Sequence, residues 1–168
     1  MTLTQTLMVG GGILTAAVLA TYLIPAHVHV ERTAFVPKPP EAVMALVASN
    51  AGYQTFNPYK NSDPNLKIDL FGPDAGIGSG FRFAGKEGKG AQTVTALTET
   101  SVTYSIDLGA RGKPTQSIQV TPVDGGSKVT WDMDIHMGMN PVARVLGLFM
   151  DGMMGKTFDQ GLKNLANA

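Results

Sequence analysis

The side chains able to carry acid–base or metal chemistry gather in two places. Asp132, Asp134 and His136 lie together in the last third of the chain, and a histidine flanked by carboxylates can exchange protons near neutral pH. They alternate, however, with Trp131, Met133 and Ile135. In a strand they therefore take the opposite face, and a solvated outer surface is expected for them. His27 and His29 would share one strand face, where a pair at i, i+2 could hold a metal given a third ligand. No third ligand is identifiable, so the expectation is edge histidines, no metal and no cofactor. The chain has no cysteine, which excludes disulfides, thiolate metal sites and cysteine nucleophiles. No catalytic residue is assigned.

Other patterns reduce to simpler structure. Gly76-x-Gly78-x-Gly80 has neither the lysine nor the strand-then-helix context of a phosphate loop, and reads as a turn and bulge. Lys86, Lys89, Arg111 and Lys113 occupy loops diluted by Glu87 and Asp107, the pattern of solvated loop charges rather than of a headgroup patch. With 13 basic and 13 acidic residues the formal charge is zero. No global field would hold nucleic acid. Met133, Met137, Met139, Met150, Met153 and Met154 cluster near the C-terminus; such adaptable side chains suit either a ligand pocket or an ordinary core.

The elements that must position these residues follow from periodicity. His27–Val36 alternates, with Val28, Val30, Ala34 and Val36 on one face, and reads as a strand. Pro37 and Pro39-Pro40 break it, and a helix then carries Val43, Met44, Leu46 and Val47. Tyr53, Phe56 and Tyr59 recur at three-residue spacing, like one or two further helical turns. From Leu66 the period becomes two through Ile68 and Leu70, Phe81 and Phe83, Val94 and Ala96, Val102 to Leu108, Ile118 and Val120, and Val129 to Met137. Turn-rich separators make these six strands an antiparallel meander. Asn140-Pro141 then caps a last helix with Val142, Val145, Leu146, Phe149, Met150, Met153, Phe158, Leu162 and Leu165 at helical spacing. Gly147, Gly152, Gly155 and Gly161 within it imply close approach to the sheet or a bend, since each costs about 1 kcal/mol relative to alanine.

The first 26 residues differ from the rest. No Asp, Glu, Lys or Arg precedes Glu31, and Leu7–Ile24 is an apolar run of 18 residues. As a helix it would rise about 27 Å, close to the ~30 Å hydrocarbon thickness. One transmembrane helix is expected, giving an anchor over residues 1–26 and a folded domain over 27–168. Small residues at Gly12, Ala16 and Ala20 would permit weak self-association of such helices. Arg32 and Lys38 follow the span and favour a cytoplasmic domain. The alternative is an exported domain behind a cleaved signal ending near Val18-Leu19-Ala20, although no Lys or Arg marks an n-region.

The domain resembles the polyketide cyclase/dehydrase and lipid-transport superfamily, the START-related (SRPBCC) proteins with the helix-grip fold. The likeness rests on Val28–Ala34 followed by Pro39-Pro40-Glu41-Ala42-Val43, on the aromatic stretch from Tyr53 to Tyr59, on Gly78-Ser79-Gly80-Phe81-Arg82-Phe83, and on Val129-Thr130-Trp131 with Phe158 to Leu165. It implies an α+β architecture in which a curved seven-stranded antiparallel sheet wraps around the long C-terminal helix and leaves a cavity between them. The expected occupant is a lipid or other hydrophobic small molecule, lined by Phe81, Phe83, Tyr104, Trp131, Met133, Phe149, Met150 and Met153. A cyclase- or dehydratase-like enzyme in the same cavity is the alternative, and would need an inward acid or base such as Tyr104, Arg82 or a register-shifted His136. Fold alone does not decide between them.

Overall fold

Alternating side chains from His27 onward form strand β1 (His27–Val36). Pro39 is extended and Pro40 occupies the first turn of helix α1 (Pro40–Val47), where a missing N–H costs nothing. Ser49 caps α2 (Asn50–Phe56) by accepting from Gly52 N, and α3 (Tyr59–Ser62) is a single turn. The meander follows: β2 (Lys67–Phe71), β3 (Gly80–Gly85), β4 (Gly88–Leu97), β5 (Ser101–Asp107), a 3-10 turn at Gly109–Arg111, β6 (Thr115–Val123) and β7 (Gly126–His136). Asn140 Oδ1 then accepts from the backbone N–H groups of Val142 and Ala143 at 2.9 and 3.2 Å and starts α4 (Pro141–Asn167). The computed structural model describes residues 11, 12 and 15–168.

The seven strands form one antiparallel sheet in the order β1-β7-β6-β5-β4-β3-β2. Neighbours in sequence are neighbours in space except at β1, which pairs with β7 from His27↔His136 to Val36↔Ser127. The expected alternation fails at one place. The register shifts between Val94 and Ala96, so Val94 is buried while Ala96 is exposed. A bulge inserts one residue and turns the strand over, which periodicity alone does not reveal.

One side of the sheet holds the core. Trp131 is fully buried and stacks on Phe158 of α4, with centroids 4.9 Å apart and planes at 9°. Phe56 and Tyr53 meet its ring edge-on at 5.9 and 6.1 Å. Phe158, Leu162 and Leu165 fill this region, each contributing about 1.5–3 kcal/mol through burial. Three of the four helix glycines mark close approach: an added Cβ would meet Val28 and Met137 at Gly147, the Arg32 guanidinium at Gly155, and the Trp131 ring at Gly161. Gly152 faces open space.

The transmembrane reading falls partly on residues 1–10, 13 and 14, which lie outside the described residues. Of the rest, 15–21 are helical and turns follow at 22–24. Among the described residues no helix is long and apolar enough to cross a membrane. Gly12, Ala16 and Ala20 are exposed.

These contacts set opposite expectations for two alanine substitutions. Gly161→Ala is expected to destabilise by up to about 2 kcal/mol, because overpacking costs about 1–3 kcal/mol against a propensity gain near 1 kcal/mol. Gly152→Ala is expected to stabilise by up to about 1 kcal/mol. Urea unfolding midpoints decide; a stabilised Gly161→Ala would contradict the tight Trp131 contact.

Candidate functional site

The helices do not cover the sheet evenly. Helix α4 packs along β1 and β7, while α1 lies over β5–β7. At the far end of β2–β5, Ile68, Phe83 and Leu108 are only half-buried. Register places Ile68 beside Phe83 and Phe83 beside Gly90, and Leu108 continues the parity of Tyr104 and Ile106. All therefore belong to the face that carries the core. A Cβ at Gly90 would stand 2.6 Å from Phe83 Cζ and 3.2 Å from Leu108 Cδ2. Glycine there lets both side chains lie across β4.

Here the structure has a cleft of about 660 Å³, whose lining includes Ile68, Phe83, Gly90, Leu108 and Ala110. That volume suits a drug-sized apolar ligand. Charged residues border it. Arg82 lies 3.5 Å from Asp69 and over the Phe71 ring at 4.8 Å. Asp107 accepts from Lys113 at 2.9 Å and from Gly109 N at 2.8 Å, and these hydrogen bonds hold its carboxyl below the usual carboxylate range. It is an anion at neutral pH and not a proton donor.

The eight expected lining residues separate into three groups. Phe83 lines the cleft. Phe81, Tyr104, Trp131 and Met133 are buried in the packed core, where Tyr53 contacts Phe81 and Tyr104 at centroid distances of 5.2 and 5.6 Å. Only about 10 Å³ remains open beside Phe81 and Tyr104, barely the space of one water. Phe149 and Met153 stand on the exposed side of α4, and Met150 is half-buried. Ile68 and Leu108 were legible as inward positions, but nothing in the sequence says which inward positions the helix leaves bare.

The candidate acid–base groups have other employment. Tyr104 is buried, and its hydroxyl donates to the Val47 carbonyl at 2.6 Å; burial pushes its pKa well up. Arg82 lies on the opposite parity to Phe81 and Phe83. His136 is exposed and its Nδ1 accepts from Gly138 N at 3.0 Å, closing the turn before α4. His29 Nδ1 lies 2.9 Å from Asp134 Oδ1, and His27 Nε2 is 3.4 Å from the same oxygen. Asp132 accepts from Ser117 Oγ at 2.6 Å. These residues occupy the outer side, as parity required. Among the described residues no group of His, Asp and Glu is arranged to hold a metal.

Two arginines carry structure that the sequence reading passed over. Arg32 pairs in register with Trp131 and so points to the α4 side of the sheet. Its Nη1 and Nη2 donate to the two Asp151 carboxylate oxygens at 2.9 and 3.0 Å, with Asp159 at 3.7 Å. This fork raises the Arg32 pKa and lowers that of Asp151. Parity was the available signal: Arg32 lies two residues from Val30 and from Ala34. The second, Arg144, is buried in the first turns of α4.

Comparison with known proteins agrees with this architecture. The family model described as polyketide cyclase / dehydrase and lipid transport matches residues 27–168. Among solved structures, Ara h 8.0201 is 16% identical with a TM-score of 0.59, covering 84% of this chain and 99% of that one. Protein CV1439 from Chromobacterium violaceum is 17% identical with a TM-score of 0.56, covering 83% of this chain and 94% of its own. The di-domain ARO/CYC StfQ from the steffimycin biosynthetic pathway is 11% identical with a TM-score of 0.62, covering 84% of this chain and 50% of that one. At these identities the likeness shows the fold. No curated protein matches the chain.

The His29–Asp134 contact makes a titration testable. The hydrogen bond to Asp134, with lesser help from the charges of Asp134, Asp132 and Glu31, holds His29 above the ordinary value of 6.5. A raised folded pKa contributes stability that is complete below the unfolded value and disappears as pH rises through the folded one. NMR titration is expected to find the His29 midpoint above 6.5 and to find it lowered in Asp134→Asn. An unchanged midpoint in the variant would remove Asp134 as the cause.

Proposed function

The chain belongs to the polyketide cyclase / dehydrase and lipid transport family, and from that membership and the half-covered sheet we propose that it binds a hydrophobic small molecule or lipid. The observation carrying the reading is the cleft of about 660 Å³ with Ile68, Phe83 and Leu108 at its apolar wall. These side chains sit where the fold supplies a hollow that no α-helix among the described residues lines. Burying them under a ligand would recover apolar contact that the protein alone does not make.

The leader completes the proposal. Residues 7–24 would tether the domain to a membrane, with Arg32 and Lys38 following on the cytoplasmic side. A tether keeps a carrier or sensor at the surface where a lipophile is concentrated. A second reading, a cyclase- or dehydratase-like enzyme in the same cleft, is favoured by the fold likeness to StfQ. Its acid or base is not supplied by the groups expected for it: Tyr104 and His136 are engaged within the protein, and Arg82 lies on the outer parity beside Asp69.

Native mass spectrometry of the full chain, with identification of co-purified lipids, tests the binding reading. A stoichiometric lipophile is expected. Phe83→Ala is expected to weaken its retention roughly tenfold, corresponding to about 1.4 kcal/mol of lost apolar contact. Leu108→Asp is expected to abolish retention. A chain that is empty from its native host and takes up nothing from a panel of lipids would overturn it.

A further inference from the structure

Helix α4 turns one face to the sheet and carries a second, apolar face that has no partner among the described residues. Arg144, Gly147, Asp151, Gly155, Phe158, Leu162 and Leu165 form the stripe turned to the sheet. Val142, Val145, Leu146, Phe149 and Met153 form another at i, i+3, i+4, i+7 and i+11, roughly opposite the first at 100° per residue. Phe149 is 62% exposed and Met153 65%. Farther along, the same outward stripe carries Lys156, Gln160, Lys163 and Asn167. One face of one helix thus changes from apolar to polar between Met153 and Lys156.

The apolar half lies at the end where the leader arrives. Arg144 Nη1 donates to the Tyr22 and Ile24 carbonyls at 3.1 and 3.0 Å, and its Nε donates to Gly138 O at 3.0 Å. Its guanidinium lies 5.2 Å from the Tyr22 ring centroid. This buried clasp fixes the end of the uncharged leader, at Tyr22 and Ile24, against the start of α4. Leu19 and Leu23 are exposed there, as is Met139. Between Asn140 and Met153 the only charges are Arg144, used in the clasp, and Asp151, paired with Arg32.

We propose that the Val142–Met153 face of α4 lies on the surface of a lipid bilayer, beside the leader. The occupant follows from continuity: residues 1–26 carry no charge, their clasped end adjoins the apolar half, and the face turns polar with distance from it. Interfacial helices present this pattern, with aliphatic and aromatic residues in the headgroup boundary and lysine at its edge. Because the face is uncharged, neutral lipid is sufficient. The proposal goes beyond ligand binding and needs no occupant in the cleft.

The absence of cysteine permits single-site labelling of the full chain. A nitrobenzoxadiazole label is placed at Phe149→Cys, at Lys163→Cys on the polar half of the same face, and at Thr121→Cys on the far strand β6, in phosphatidylcholine vesicles. The label at 149 is expected to show blue-shifted emission and to lose most of it when doxyl-labelled lipids are included. Those at 163 and 121 should remain water-exposed and unquenched. A label at 149 as wet as that at 163 would overturn the proposal. So would one that is dry yet unaffected by doxyl lipid, which would identify a protein occupant, either a second copy or the leader folded back. Repeating the 149 measurement with Phe83→Ala separates the two readings: quenching that persists while lipophile retention falls assigns the face to the bilayer, and quenching lost with retention assigns it to the cleft.

Discussion

The contact on which the other arrangements depend is the stack of Phe158 on Trp131. Trp131 lies in β7, between the edge strand β1 and β6, so its ring is where sheet, short helix α2 and long helix converge. Planes 9° apart at 4.9 Å leave little freedom for the C-terminal half of α4. Gly161 permits that approach, since a Cβ would occupy the space of the indole. Once this half is fixed, the direction of the remaining helix is largely determined, and its N-terminal half must run along β1.

Along β1 the means of attachment change. The sheet-facing positions there are Arg144, Gly147, Asp151 and Gly155 rather than large aliphatics. Glycines bring the backbone close, and Arg32 fills the gap at Gly155 with a fork to Asp151. Arg32 is 28% exposed and Asp151 61%, so solvent screens the pair and its main effect is positional. The fork is geometrically demanding, which suits it to setting helix register rather than to adding stability. A helix held in this way on an edge strand does not reach the far end of β2–β5, and the short helices cover only the part of those strands around Phe81 and Tyr104. The cleft at Ile68, Phe83 and Leu108 is the consequence.

Much of this was legible in the chain. The alternation from His27 to Val36, the six-strand meander and the Asn140-Pro141 helix start are local patterns set by side-chain parity and capping, and each is present in the structure. Parity also placed Asp132, Asp134 and His136 outside. What escaped was relational. The bulge between Val94 and Ala96 depends on pairing with β5, and the choice between core and cleft for an inward aromatic depends on where α4 lies. Phe81 and Phe83 are two residues apart on one face. Tyr53 packs on the first, while the second lies in the uncovered region.

The same limitation explains the reading of α4. Val142, Val145, Leu146, Phe149, Met150 and Met153 have helical spacing, and periodicity assigns the most apolar stripe of a helix to its core. That inference holds when one face is apolar and the rest is polar. Here the sheet-facing stripe is built of glycines, an arginine and an aspartate because β1 is so near, and small or paired residues do not register as hydrophobic. The larger aliphatics consequently mark the face that the sheet does not use. A helix whose bulky apolar residues oppose its glycines is therefore better read as having two environments, one close-packed and protein, the other apolar and external. Polar residues replace the aliphatics after Met153 on that outward face, at the point where the helix leaves the leader's end of the domain.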